Sequence, residues 1–273
     1  MIRAWFLVFL GREGSGMDGC ITSKNNPLIR RYRRVLEDKR FRSTEQVFAA
    51  EGLRLVCEAL QEGRCAALYV TESAYEKYAD VLCGGIKPVI ISDALGNHLS
   101  ETEHPQGVFA LCSAARMELG RDRLRPNGRY LVLYALQDPG NMGMILRTAD
   151  AFGIDAVLVY RCCDVYSPKV VRATMGAIFR LPVLEAPAAD LLCPALEAQG
   201  IRSYAAVLHR DARPVTACDL GEGCAVWIGN EGSGLPEDAV AACKEKVIIP
   251  MRGNAESLNA AMAAGILMWE MMK

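Results

Sequence analysis

Three glycines, a serine and a carboxylate stand together in Gly229-Asn230-Glu231-Gly232-Ser233-Gly234-Leu235-Pro236, directly after the apolar run Ala225–Ile228. A phosphate-binding P-loop requires lysine after its last glycine, and Leu235 occupies that place. A dinucleotide loop has different glycine spacing and follows the first strand of its unit. What remains is a loop whose glycines permit positive φ and let backbone N–H and C=O groups approach a flat ligand, with one carboxylate, Glu231, inside it. The same G-x-E-G-S-G string occurs at 11–16, after the short apolar run Ala4–Leu10 and ahead of Met17. No strand–helix unit surrounds that copy, so it carries no site.

Two further loops offer chemistry. Asp138-Pro139-Gly140-Asn141 leads into a helical stretch, Asn141–Phe152, which Asn141 can cap and which carries Arg147 about two turns in. A cation near a helix start opposes the macrodipole, so either a ligand anion or a salt bridge to Asp150 or Glu231 accounts for it. The third loop, Ile249-Pro250-Met251-Arg252-Gly253-Asn254-Ala255-Glu256-Ser257-Leu258-Asn259, enters a small-residue helix over Ser257–Met272, with Ser257 or Asn259 as its cap. Hydroxyl, amide, carboxylate and guanidinium groups in one crevice suit a polar ligand.

The elements that must position these loops alternate strand and helix from Tyr130 onward. Apolar runs at Tyr130–Leu136, Ala156–Tyr160, Ser203–Leu208, Ala225–Ile228 and Lys246–Ile249 read as strands, with helices at Asn141–Phe152, within Val165–Phe179, and at Ala188–Gln199. That rhythm predicts a mostly parallel sheet with helices on both faces, ligands sitting at the strands' carboxyl ends. The front half reads as helical over 24–65, then as short strands Ala67–Thr71, Pro88–Ser92 and Val108–Cys112 around a helix Ser73–Leu82. It is a small α/β domain over 21–113. A charged stretch, 114–129, containing the turn Pro126-Asn127-Gly128, links it to a second domain over 130–273. Residues 1–20 are an unassigned leader with Met17 as an alternative start; its apolar run is too short to span a bilayer.

The 273-residue chain has a net charge of −1 and is 51% apolar, so it forms a real core and has no general attraction for nucleic acid. Charge is concentrated locally: Lys24, Arg30, Arg31, Arg33, Arg34, Lys39, Arg40 and Arg42 face only Glu37 and Asp38. Alone, that run is either a solvated helix face or a phosphate-contacting surface. The 11 cysteines form no C-x-x-C and no zinc spacing, which points to free thiols in a reducing cytoplasm and to no metal.

Together the three loops resemble the motifs of the SpoU/TrmH-type RNA ribose methyltransferases of the SPOUT superfamily. The matching residues are Asp138-Pro-Gly-Asn141-Met-Gly143-Met-Ile-Leu-Arg147-Thr-Ala with Phe152-Gly153, then Ile228-Gly229-Asn-Glu231-Gly232-Ser-Gly234-Leu, then Ile249-Pro250-Met251 with Glu256-Ser257-Leu258-Asn259. Ser167-Pro168-Lys169 through Pro182 fits as well. So do Ile21-Thr22-Ser23, Asn26-Pro27, Phe48, Glu51-Gly52 and His104-Pro105-Gln106-Gly107, which resemble the ribosomal-protein-like RNA-binding domain of many members. The resemblance implies a homodimer through a C-terminal domain tied in a trefoil knot, and S-adenosylmethionine as cofactor with no metal. Leu208, Gly229, Gly232, Gly234, Ile249, Met251 and Leu258 would hold that cofactor. Arg147 would be the catalytic residue, as a phosphate clamp that stabilises the developing alkoxide, with Asn141, Glu231, Ser257 and Asn259 orienting the reactants. Lys24, Arg30, Arg31, Arg33, Arg34, Lys39, Arg40, Lys169 and Arg172 would contact RNA. The implied reaction is methyl transfer to a ribose 2′-hydroxyl of ribosomal RNA. The alternatives are transfer to tRNA, or a non-catalytic RNA-binding protein that kept the fold.

Overall fold

The computed structural model describes residues 19–82, 85–115, 117–120 and 124–273. The leader's glycine-rich copy at 11–16 and Met17 lie outside them. The chain divides into two compact units: one runs to Ala115 and includes Tyr166–Arg172, and the other holds the remainder from Arg116 onward.

In the first unit Asn26 caps α1 (Pro27–Glu37), its side chain accepting from Leu28 N at 2.9 Å, and Pro27 presets the first turn. The helix buries Ile29, Tyr32, Val35 and Leu36. Asp38 caps α2 (Lys39–Glu45) in turn. The expected unbroken helical region over 24–65 is interrupted here. Gln46 takes a left-handed φ of 52°, ending α2, and the next four residues are buried side by side in strand β1 (Val47–Glu51). Four consecutive buried apolar residues suit a strand covered on both faces. After α3 (Leu53–Gln61) come β2 (Cys65–Thr71), α4 (Glu72–Tyr78), β3 (Val89–Ile91), α5 (Asp93–Leu99) and β4 (Val108–Ser113). The sheet order is β1-β4-β2-β3, with only the β2–β3 pair parallel. Tyr166 stacks on Phe48, ring centroids 4.8 Å apart.

The second unit is one seven-stranded parallel sheet. Its elements are β5 (Arg129–Tyr134), α6 (Pro139–Ala151), β6 (Ala156–Tyr160), α7 (Pro168–Ala173, five of whose residues belong to the first unit), α8 (Ala177–Arg180), β7 (Val183–Glu185), α9 (Ala189–Glu197), β8 (Arg202–Ala206), β9 (Arg213–Pro214), β10 (Cys224–Ile228), α10 (Glu237–Ala242), β11 (Glu245–Ile248) and α11 (Ala260–Glu270). The strand order is β7-β6-β5-β10-β8-β11-β9. β10 lies between β5 and β8, paired in register with both, and all five of its residues are buried. Trp227 is wholly buried there, packed with Tyr130, Val132 and Leu158. The helix expected within Val165–Phe179 is two helices, because Met175 (φ 50°) and Gly176 (φ 98°) turn the chain between them. Among the described residues no helix is long and apolar enough to cross a membrane.

Candidate functional site

Because the sheet is parallel, the loops after β5, β8, β10 and β11 emerge along one edge. The last three of these loops enclose a cavity of about 470 Å³, which the loop after β5 does not line. Leu208, Gly229, Gly232, Gly234, Ile249, Met251 and Leu258 all line it, with Glu231 and Ser257, and Ala260, Ala263 and Leu267 of α11 form a further wall.

The glycine loop folds back on itself. Asn230 N donates to Gly234 O at 3.0 Å and Gly234 N returns to Asn230 O at 2.9 Å. A Cβ on Gly229 would overlap the Gly234 carbonyl, so this residue must be glycine. Asn230, which sequence inspection passed over, organises the turn. Its Oδ1 accepts from Gly232 N (3.0 Å), Ser233 N (3.1 Å) and the Ser233 hydroxyl (3.3 Å), and its Nδ2 donates to Ala135 O at 2.9 Å. Ala135 itself holds a left-handed φ of 55° at the end of β5. An asparagine inside a glycine turn was the signal available, since its amide commonly bonds backbone two or three residues on.

Glu231 ties this loop to the first one. Its carboxylate accepts from Asp138 N (2.8 Å), Gln137 N (3.1 Å) and Asn141 Nδ2 (3.3 Å). Burial pushes its carboxyl up, but the hydrogen bonds from Asp138, its own backbone, Gln137 and Asn141 outweigh that and hold it below the ordinary value. Asn141 passes the connection on, its Oδ1 accepting from Asn259 Nδ2 at 2.9 Å. Asn259 caps α11, accepting from Ala261 N and Met262 N, as one of the two expected caps. The helix therefore starts at Ala260, not Ser257, and Ser257 stays in the loop against the cavity.

Two expectations need correction. Asn141 does not cap α6: Asp138 does, accepting from Asn141 N at 2.7 Å, which frees the Asn141 side chain for Glu231 and Asn259. Nor does Arg147 share the crevice. At ~100° per residue it is turned ~240° around the helix from Asn141, it is exposed, and it does not line the cavity. The carboxylates considered as its partners are engaged elsewhere, Asp150 with Arg180 at 2.7 Å and Glu231 as above. Among the described residues Arg147 has no ion pair.

The basic surface is more divided than its sequence. Lys24, Arg30, Lys39, Arg40 and Lys169 are exposed, and Arg172 is half-buried. Arg31 pairs with Glu45 at 3.3 Å, Arg33 with Glu37, and Arg34 with Asp38 at 3.6 Å while also covering the Phe41 ring. Arg42 is not part of this surface. It is buried and donates to the carbonyls of Val35 (2.6 Å) and Leu36 (2.9 Å), satisfying the end of α1.

A cavity of this size, with apolar walls from Leu208, Ile249, Met251 and Leu258 and backbone polar groups from a glycine turn, fits an adenosyl cofactor. Residues 128–269 match the SpoU rRNA Methylase family, and residues 26–110 match the MRM3-like substrate binding domain. The chain is 31% identical to the 23S rRNA (guanosine(2553)-2′-O)-methyltransferase RlmP of Bacillus subtilis, covering 92% of this chain and 98% of that protein. It is 30% identical to the 23S rRNA (uridine(2479)-2′-O)-methyltransferase of Streptomyces viridochromogenes, covering 93% and 91%. The AdoMet-bound rRNA methyltransferase from Sinorhizobium meliloti superposes with a TM-score of 0.81 at 30% identity, over 92% of this chain and 96% of that one. The fold is thus that of the SPOUT methyltransferases, a parallel sheet flanked by helices. The chain belongs to the SpoU rRNA methylase family.

Proposed function

We propose that this protein transfers a methyl group from S-adenosylmethionine to a ribose 2′-hydroxyl of ribosomal RNA. The observation that carries the proposal is a cavity lined by the second and third motif loops, to both of which the first loop is tied by the Glu231–Asn141–Asn259 hydrogen-bond chain. When bound, the cofactor supplies a methyl group on a positive sulfonium.

The chain's own residues do the rest. Leu208, Ile249, Met251 and Leu258 give apolar walls, and Gly229, Gly232 and Gly234 let backbone approach the ligand. Glu231, Asn141 and Asn259 fix the loops relative to one another, which is how alignment lowers the barrier of a two-reactant step. Ser257 offers a hydroxyl at the cavity edge. A guanidinium stays protonated, so Arg147 acts as a phosphate clamp and as a charge facing the developing alkoxide, not as a base.

Arg147 follows Met144 on α6, and α6 packs on α11, where Met262 and Trp269 are more than half exposed. That apolar face supports a homodimer, in which Arg147 of one copy serves the cavity of the other. Residues 21–113 act as the RNA-binding domain, joined by 114–129 to the catalytic domain at 130–273. Lys24, Arg30, Lys39, Arg40, Lys169 and Arg172 contact phosphates, with Arg31, Arg33 and Arg34 exchanging their carboxylate partners to do so. A trefoil knot and a cytoplasmic location complete the proposal, supported by α11 walling the cavity and by the free cysteines among the described residues.

Two measurements test it: calorimetry with S-adenosylmethionine, and maps of 2′-O-methyl positions in total RNA with and without the gene. The expected results are cofactor binding and one ribosomal ribose that loses its methyl group. A loss confined to tRNA moves the substrate, and a folded protein that binds no cofactor is the non-catalytic alternative.

A further inference from the structure

The first unit has a cavity of its own, about 220 Å³, at the carboxyl ends of the parallel pair β2 and β3. Thr71, Ser73, Asp93, Asn97, Pro105 and Gln106 line it. Gly107, at φ 70°, brings the loop before β4 so close to Thr71 that a Cβ there would overlap the Thr71 hydroxyl. The wall is therefore built from a backbone that only glycine can supply.

Its polar groups are specifically divided. The Ser73 hydroxyl donates to Asp93 Oδ1 at 2.6 Å, and the Ser73 and Thr71 hydroxyls with the Ser73 backbone N–H outweigh burial and hold the Asp93 carboxyl below its ordinary value, as an ionised acceptor at the cavity. Gln106 Oε1 accepts from Leu53 N at 2.9 Å, so the free end of its amide is the NH₂ donor. The Asn97 amide is exposed. Pro105 is the apolar surface. No lysine or arginine lines the cavity.

This set excludes a phosphate, which would face an ionised carboxylate with no cation. A hard divalent cation wants several oxygen ligands of high charge, and one carboxylate is too few. A flat neutral ligand with adjacent N–H donors fits. Among the RNA bases, guanine alone carries two such donors, N1–H and the N2 amino group, on its Watson–Crick edge, with O6 beside them for an amide donor. Adenine and cytosine would turn a ring-nitrogen lone pair towards the carboxylate, and uracil offers one N–H between two carbonyls. Single-stranded RNA is read on such edges.

We propose that the cavity bounded by Thr71, Asp93, Asn97, Pro105 and Gln106 takes an unpaired guanine of the RNA substrate, with Asp93 accepting from the base's N1–H and N2 amino group. The proposal rests on the RNA-methyltransferase function for its substrate class.

Ligand-observed NMR on the full chain tests it, with S-adenosylhomocysteine filling the larger cavity. Guanosine at millimolar concentration should bind and uridine should not. Asp93→Asn should abolish the guanosine signal, and Asn97→Ala should weaken it, while S-adenosylhomocysteine affinity stays unchanged. Equal binding of both nucleosides, or guanosine binding that survives Asp93→Asn, overturns the proposal. With ribosomal RNA as substrate, Asp93→Asn should raise KM for RNA roughly tenfold with kcat unchanged, as expected from losing charge-assisted hydrogen bonds. An unchanged KM also overturns it. Absence of any methylation by the wild type would refute the enzymatic function, while the guanosine titration still decides the base site.

Discussion

Glu231 is the residue on which two motif loops meet. Its carboxyl sits below its ordinary value in the folded chain because backbone N–H groups and Asn141 bond the charged form. A carboxyl lowered in this way stabilises the fold at pH above the usual carboxylate range, and that contribution is lost as pH falls through the lowered value. Glu231→Gln should therefore lower the melting temperature of the wild-type protein by about 2–4 °C at pH 7, for roughly 1 kcal/mol. The gap should shrink near pH 3, and scanning calorimetry at both pH values reads it; a constant gap would refute the assignment. At this scale the sequence was readable where motif residues act through loop position. All seven residues named for the cofactor line one cavity. It was not readable where two side chains compete for one job. Asp138 and Asn141 are both good caps, and only the folded loop shows that Asp138 takes the helix and releases Asn141.

Among the elements, α1 and α2 show why a basic run cannot be taken as one surface. Arg42 stands three residues after Lys39 and two after Arg40, yet it points inward to the last carbonyls of α1. Arg42→Ala should cost about 1–3 kcal/mol of stability by leaving those carbonyls unsatisfied, with RNA affinity changed only through unfolding. Arg30→Ala and Arg40→Ala should do the reverse. Stability stays, RNA binding weakens, and the slope of log affinity against log salt becomes shallower by about 0.7 for each phosphate of single-stranded RNA that is no longer neutralised. Filter binding across a salt series, beside thermal melts, separates the two classes. The long strands were legible as apolar runs. β1 was not, because its Val-Phe-Ala-Ala core follows two helical turns without glycine or proline to mark the break. β7 and β9, three and two residues long, leave too little pattern to detect.

In the whole molecule, strand order is set by pairings distant in sequence. Nothing in the local pattern of Cys224–Ile228 says that it pairs with strands that begin at Arg129 and Arg202. The same holds for association: the alternation of small and large residues in α11 does not reveal that Met262 and Trp269 remain outside. Analytical ultracentrifugation should show a dimer that Met262→Glu with Trp269→Glu converts to a monomer of reduced methylation activity. A wild type that sediments as an active monomer would discard the dimer. One wall of the larger cavity, moreover, comes from Ala260, Ala263 and Leu267, long after Gly229 in order of synthesis. A chain still on the ribosome, made only as far as Met251, has both earlier loops but no closed cavity. The cavity takes its full shape only when α11 has been translated and has docked, so on the proposed function a nascent chain should gain S-adenosylmethionine affinity only once this last helix is made.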